Sequence, residues 1–134
     1  MSSLKSLEVS DQLPSVELEP VDRLTLIKYA GASDDYNPIH TIDQEAQNAG
    51  LPGIIAHGMW TMGNLSRLFS AHIEEGYIED YRVRFTGMVF LEDILSLNAK
   101  LVDHQDSLLV FDVDVTKQDD QKVIQGQVSF RLWE

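Results

Sequence analysis

The chain has 134 residues with 22 acidic and 10 basic side chains, a formal charge of -12, 43% hydrophobic residues and no cysteine. A chain of this length buries roughly two-thirds of its unfolded surface as one domain spanning 1–134, so its stability needs neither disulfides nor a structural metal. The acidic surplus opposes nucleic-acid and anionic-membrane partners, the missing thiols exclude cysteine nucleophiles and thiolate metal sites, and no apolar run approaches the roughly 20 residues that cross a bilayer. A cytoplasmic location is expected.

Pro14 and Pro20 punctuate a polar opening in which Val16 and Leu18 alternate with Glu17 and Glu19, the pattern of a short edge strand. Asp22 is placed to cap a helix running to about Ala32, with Leu24, Ile27 and Tyr29 to Ala30 at helical spacing. Asn37-Pro38 stops any continuation and makes Ser33 to His40 a turn. A short helix from Asp43 to Asn48 is ended by Gly50 and Leu51-Pro52-Gly53. From Gly58 to Glu75 the three- and four-residue steps of Met59, Met62, Leu65, Phe69 and Ile73, widened by Trp60 and Leu68, predict one long, largely buried helix.

Four alternating segments follow: Tyr81 to Thr86, Leu95 to Leu101, Leu109 to Val115, and Val128 to Leu132. Short polar breaks around His104 to Ser107 and Gln118 to Gln121 make the last three antiparallel neighbours in a meander, and the slipped alternation at Gly126 predicts a bulge there. A long apolar helix followed by such a meander packs by letting the sheet curl around the helix. The expected class is therefore α+β, a single hotdog fold with an antiparallel sheet wrapped around a long central helix. Its exposed sheet edge invites a dimer.

On a continuous helix Asp35 and His40 would point about 140° apart, given ~3.6 residues per turn. The proline turn lets the carboxylate before it and the imidazole after it converge, with Asn37 bonding locally to steady Asp35. Such a pair facing one water can act as general acid and base near neutral pH. Ordinary turn and surface residues account for the same types, and Asp34 beside Asp35 reads as solvated. Farther along, Gly58 opens the long helix after His57. Its N–H sits at the positive end of the helix dipole and it carries no side chain, which suits an oxyanion donor. A loop end and helix cap explain these two residues equally well.

The run Asp35-Tyr36-Asn37-Pro38-Ile39-His40, followed by His57-Gly58-Met59, resembles the MaoC-like dehydratase family, which includes the (R)-specific enoyl-CoA hydratases. Tyr29 to Gly63, with Asp11-Gln12-Leu13-Pro14 and Val83-Arg84-Phe85-Thr86, is similar to catalytic-type subunits of bacterial 3-hydroxyacyl-acyl-carrier-protein dehydratases. The resemblance implies reversible syn hydration of trans-2-enoyl thioesters without a cofactor. Asp35 and His40 would be the catalytic dyad, Asn37 the residue that orients the turn, and Gly58 the oxyanion donor. Residues expected around the substrate are His57, Met59, Trp60, Ser66, Arg82 and Arg84, with Trp60 either in an acyl tunnel or in the core.

Coenzyme A and acyl carrier protein are both anionic, so a local basic patch is expected from Arg82 and Arg84, with Lys28, Arg67 and Arg131 as further candidates. The partner is expected to be a second copy of the chain or a second hotdog subunit. Competing readings are a non-catalytic hotdog subunit, a hotdog thioesterase, and a divalent-metal site built from Asp35, His40, Asp43 and His57, whose spacing matches no strong zinc pattern.

Overall fold

The computed structural model describes residues 3–134. Apolar side chains at every second position build one antiparallel sheet from β1 (Val16–Glu17), β2 (Gly76–Phe85), β3 (Ser96–Gln105), β4 (Leu108–Thr116) and β5 (Lys122–Leu132). Leu97, Ala99 and Leu101 of β3, Leu109, Phe111, Val113 and Val115 of β4, and Ile124, Val128, Phe130 and Leu132 of β5 all face one buried side. The strand order is β1-β3-β4-β5-β2. The last three strands form the expected meander, while β2 crosses to its far side and pairs with β5, leaving the two-residue β1 on one edge and the ten-residue β2 on the other.

The expected bulge at Gly126 is corrected. Gly126 pairs in register with both Val83 and Val113, and the β4–β5 slip falls between Val115 and Thr116, which skips Val123. Gly126 breaks the side-chain pattern for another reason: a Cβ there would lie 2.0 Å from the Arg82 carbonyl oxygen and 2.7 Å from the Val83 Cα. The backbone of β2 occupies the place of a side chain, and only glycine permits that approach.

The helical segments are α1 (Arg23–Ser33), α2 (Asp43–Asn48), α3 (Gly58–Leu65) and α4 (Arg67–Ser70), with short 3-10 turns at Leu4–Ser6 and Pro38–His40. Asp22 caps α1 as its residue type predicts, accepting from the Thr25 N–H at 2.7 Å, a bond that holds its carboxyl below the ordinary range. The long helix expected from Gly58 to Glu75 is instead divided at Ser66 and ends at Ser70. Side chains compete for its carbonyls there: Ser66 Oγ donates to Gly63 O at 2.6 Å and Asn64 Nδ2 to Trp60 O at 2.9 Å. Beyond Ser70, Glu75 gathers the chain start, accepting from Ser3 Oγ and Leu4 N–H at 2.7 and 2.8 Å while its other oxygen meets His72 Nδ1 at 2.8 Å. The apolar stripe shifts accordingly. Thr61, Leu65, Leu68 and Phe69 are buried, whereas Met59 and Ile73 are 59% and 67% exposed.

The sheet wraps α3 and α4. Phe69 meets Phe111 edge-on at 5.1 Å between ring centres and lies 6.3 Å from Phe130. Tyr81 ties β2 to the wrapped helix by donating to Met62 O at 2.6 Å, and burial pushes its hydroxyl up to about 12. This is the hotdog fold, with its central helix in two short pieces.

The loop from β2 to β3 is pinned by Asp93. Burial would raise its carboxyl, but bonds from the Phe90 N–H, Gln118 and Lys117 outweigh burial and hold it below the ordinary range. Lys117 Nζ lies 3.0 Å away, and both side chains are about nine-tenths buried. That clasp fixes the wall of the cavity described next.

Candidate active site

The turn after α1 is made by local bonds. Asp34 adopts the left-handed conformation at φ 59°, which caps the helix and redirects the chain. The Asp35 N–H then donates to Ala30 O at 3.1 Å, and its Oδ1 accepts from the Asn37 N–H at 3.2 Å. The Asn37 Oδ1 caps the following 3-10 turn by accepting from the Ile39 N–H at 3.2 Å, with Pro38 in the first position. Asn37 thus steadies Asp35 through its main chain, while its side chain holds the segment that carries His40.

His40 is buried, and its Nδ1 lies 2.7 Å from Ile55 O. A carbonyl oxygen only accepts, so Nδ1 carries a proton, and in the neutral tautomer Nε2 is the nitrogen with the lone pair. His57 is buried more deeply, at 2% exposure, with Nε2 donating to Asp35 O at 3.2 Å. Its ring stacks on His40 with centres 3.8 Å apart and planes 24° apart, and Tyr29 packs against it edge-on at 4.8 Å. Burial, reinforced by the neighbouring His40, lowers the His57 imidazole below its ordinary value against the opposing bond to Asp35, so it stays neutral.

A carboxylate oxygen of Asp35 and a ring nitrogen from each of His40 and His57 lie within 4.8 Å of one another. One nitrogen of each ring is already engaged with a main-chain carbonyl, His40 Nδ1 with Ile55 O and His57 Nε2 with Asp35 O, and a nitrogen donating its proton there has no lone pair for a metal ion. Asp43, the fourth candidate ligand, is engaged by Arg23 at 2.9 Å. A carboxylate and two imidazoles at this separation can pass a proton through one water.

Gly58 is the first residue of α3, so its N–H is among the four that no carbonyl of the helix can accept. It borders a cavity of about 160 Å³ lined by Ile55, Ala56, Thr61, Phe85, Val89 and Ile124, among others. The space where a Gly58 side chain would stand is not open: a Cβ would meet the Phe85 ring at 3.0 Å. Met59 beside it is exposed, and Trp60 packs against the core and does not line this cavity. The Ser66 hydroxyl is spent on the Gly63 carbonyl.

Arg82 and Arg84 line a separate, open groove on the outer sheet face together with Asp112, Asp114 and Lys122. Arg82 pairs with Asp80 at 2.9 Å and Arg131 with Glu79 at 3.0 Å, and Arg67 bonds Asn64 at 3.4 Å. The expected basic patch is therefore an interleaving of both signs. Three contacts escaped the sequence reading, which gave no site role to the Ile55 carbonyl, to Phe85 or to Tyr29: a main-chain acceptor leaves no trace in residue types, and the two aromatics stand there only within longer matching runs.

The MaoC like domain family matches residues 9–123 of the chain. Fatty acid synthase subunit beta of Aspergillus oryzae is 34% identical over 103 residues, covering 74% of this chain and 5% of that protein. The peroxisomal hydratase-dehydrogenase-epimerase of Saccharomyces cerevisiae is 33% identical over 97 residues, covering 72% of this chain and 10% of that protein. The chain thus spans a small fraction of either relative. The solved (R)-hydratase from A. caviae involved in PHA biosynthesis shares the fold, with a TM-score of 0.87 and 18% identity over 96% of this chain and 99% of that one. Among the described residues, no helix is long and apolar enough to cross a membrane.

Proposed function

This chain belongs to the MaoC-like domain family, and from that premise we propose that it is a hydro-lyase adding water to trans-2-enoyl thioesters of coenzyme A or acyl carrier protein. The product is the (R)-3-hydroxyacyl thioester, and dehydration is the reverse. The observation that carries this reading is the approach of the Asp35 carboxylate and the His40 ring within 4.8 Å. One water making two hydrogen bonds of ~2.8 Å spans such a gap. In the hydration direction the water donates one O–H to Asp35 and the other to His40 Nε2, which takes the proton. The oxygen bonds to Cβ, the C=C electron pair shifts toward the thioester oxygen, and the Gly58 N–H stabilises the resulting enolate. The imidazolium then returns its proton to Cα on the same face, so the enzyme ends as it began. The cavity beside Gly58 would take the acyl group. Hydrolysis is the competing outcome for this fold: release of free thiol in place of loss of the enoyl absorbance would contradict the reading.

Gly58 gives a sharper test because Phe85 offers a second reason for a glycine. Gly58→Val keeps the N–H but crowds the thioester carbonyl away from it, and is expected to lower kcat by ~10²-fold. If the glycine only makes room for the ring, adding Phe85→Ala restores the rate. The oxyanion reading expects the double variant to regain stability and stay slow.

Among the described residues, the ten-residue β2 lies on the sheet edge with one side of its backbone unpaired. Pairing of two such edges across a two-fold axis would satisfy both. Sedimentation velocity is expected to give twice the 15.1 kDa chain mass. A monomer at micromolar concentration would contradict this pairing, and activity gained only on adding a second hotdog subunit would assign the edge to a different partner.

A further inference from the structure

We infer that His57 is a positioning residue that fixes both members of the dyad with one ring: its Nε2–H anchors the Asp35 backbone, and its face seats the His40 imidazole. The inference rests on the hydratase reading and moves His57 from the residues expected to touch substrate to those that aim the groups that do.

Four observations converge on it. At 2% exposure the ring is sealed from any ligand in the cavity, although Gly58 next to it is exposed. Among the described residues, the Asp35 carbonyl receives its hydrogen bond from His57, across 22 residues of sequence. Asp35 is thereby tied at its N–H by Ala30, at its carboxylate by Asn37 and at its carbonyl by His57. The stack on His40 restrains the ring about the Nδ1 bond to Ile55, a rotation that one hydrogen bond leaves free. Fourth, His57 occupies the N-cap position of α3, immediately before Gly58, so the residue that bonds Asp35 and stacks on His40 adjoins the proposed oxyanion amide.

The tautomer supports this division of labour. Because Nε2 must donate to a carbonyl, the neutral ring leaves Nδ1 as a buried acceptor, and Nδ1 has no partner among the described residues. An apolar side chain would fill a purely structural position without that orphaned nitrogen. The imidazole is explained by what its other nitrogen and its face do. Its neutrality follows from burial and keeps a second positive charge away from His40 when that ring carries the transferred proton.

Two substitutions separate the donor from the face. His57→Phe keeps an aromatic face and removes the N–H, while His57→Gln keeps an amide N–H of similar reach and loses the ring. With crotonyl-CoA, His57→Phe and His57→Gln are each expected to lower kcat by ~10- to 100-fold with KM within ~3-fold of wild type, one through the lost donor and the other through the lost face, and His57→Ala, which removes both, to lower it further. Wild-type kcat in either His57→Phe or His57→Gln, or a raised KM at unchanged kcat, would overturn the inference.

A readout that needs neither turnover nor a foldable Phe variant is histidine-selective nitrogen NMR of the wild-type protein. It should show His57 as the Nε2–H tautomer and His40 as the Nδ1–H tautomer at neutral pH. A His57 ring protonated on Nδ1 would overturn the inference. An inactive wild-type protein with both tautomers as expected would sink the hydratase reading and leave the ring contacts standing.

Discussion

Asp35→Asn and His40→Asn should each lower kcat/KM for crotonyl-CoA hydration by ~10³-fold or more, with the Tm of each within a few degrees of wild type. Both replacements are chosen to spare the fold. An asparagine at 35 still presents an Oδ1 to the Asn37 N–H, whose bond shapes the turn. An asparagine at 40 offers an amide donor where Nδ1 now donates to Ile55 O, so that carbonyl keeps a partner. The His40 variant has no base for the water's proton, a contribution worth ~10²- to 10⁴-fold for one acid–base group, and the Asp35 variant, with Oδ1 kept on the Asn37 N–H, turns an uncharged NH2 donor toward the water where a carboxylate accepted. Because both residues grip the same water, the double variant should be little slower than the worse single one. Near-normal turnover in either single variant would remove that residue from the chemistry.

The second large effect is on stability. Gly126→Ala should cost more than ~3 kcal/mol and lower Tm by ~10 °C or more, measured by calorimetry. The new methyl would lie 2.0 Å from the Arg82 carbonyl oxygen, which is main chain in a paired strand and has no rotamer to yield. Relief requires β2 to move off β5 along the Val83–Gly126 step, and β2 carries both Tyr81, bonded to the central helix, and Phe85, packed on Gly58. Gly63→Ala serves as the control, because a Cβ there meets nothing within 4 Å and alanine favours a helix. Equal Tm values for the two variants would show that β2 is not seated as described.

The turn from Asp35 to His40 and the glycine at 126 differ in how far a sequence displays them. The Asp35-to-His40 turn is legible because its chemistry is local: Asp22, Asn37 and Pro38 act on neighbours a few residues away, and the structure keeps those bonds. The meander is legible for the same reason, since period-two burial and short polar breaks are properties of one segment at a time. Gly126 is not. Its alternation fails where a strand more than 40 positions earlier presses on it, and a lone glycine in a strand signals a bulge equally well. The long helix misled because apolar spacing continues past Ser66, while the Ser66 and Asn64 side chains that divert its carbonyls carry no periodic signal. At the site, the pairing of His57 with Asp35 and His40 depends on a main-chain carbonyl and a ring stack, neither of which residue types encode.

The central claim is that a single water, held between Asp35 and His40, supplies both the hydroxyl and the proton from one side of the double bond. Hydration of crotonyl-CoA in deuterated water, with the product's configuration read by NMR, tests it directly. The expected product is the (R)-3-hydroxy thioester with deuterium at Cα delivered to the same face as the oxygen. Deuterium on the opposite face, or scrambled between the two Cα positions as the product forms, would contradict a shared water on one dyad.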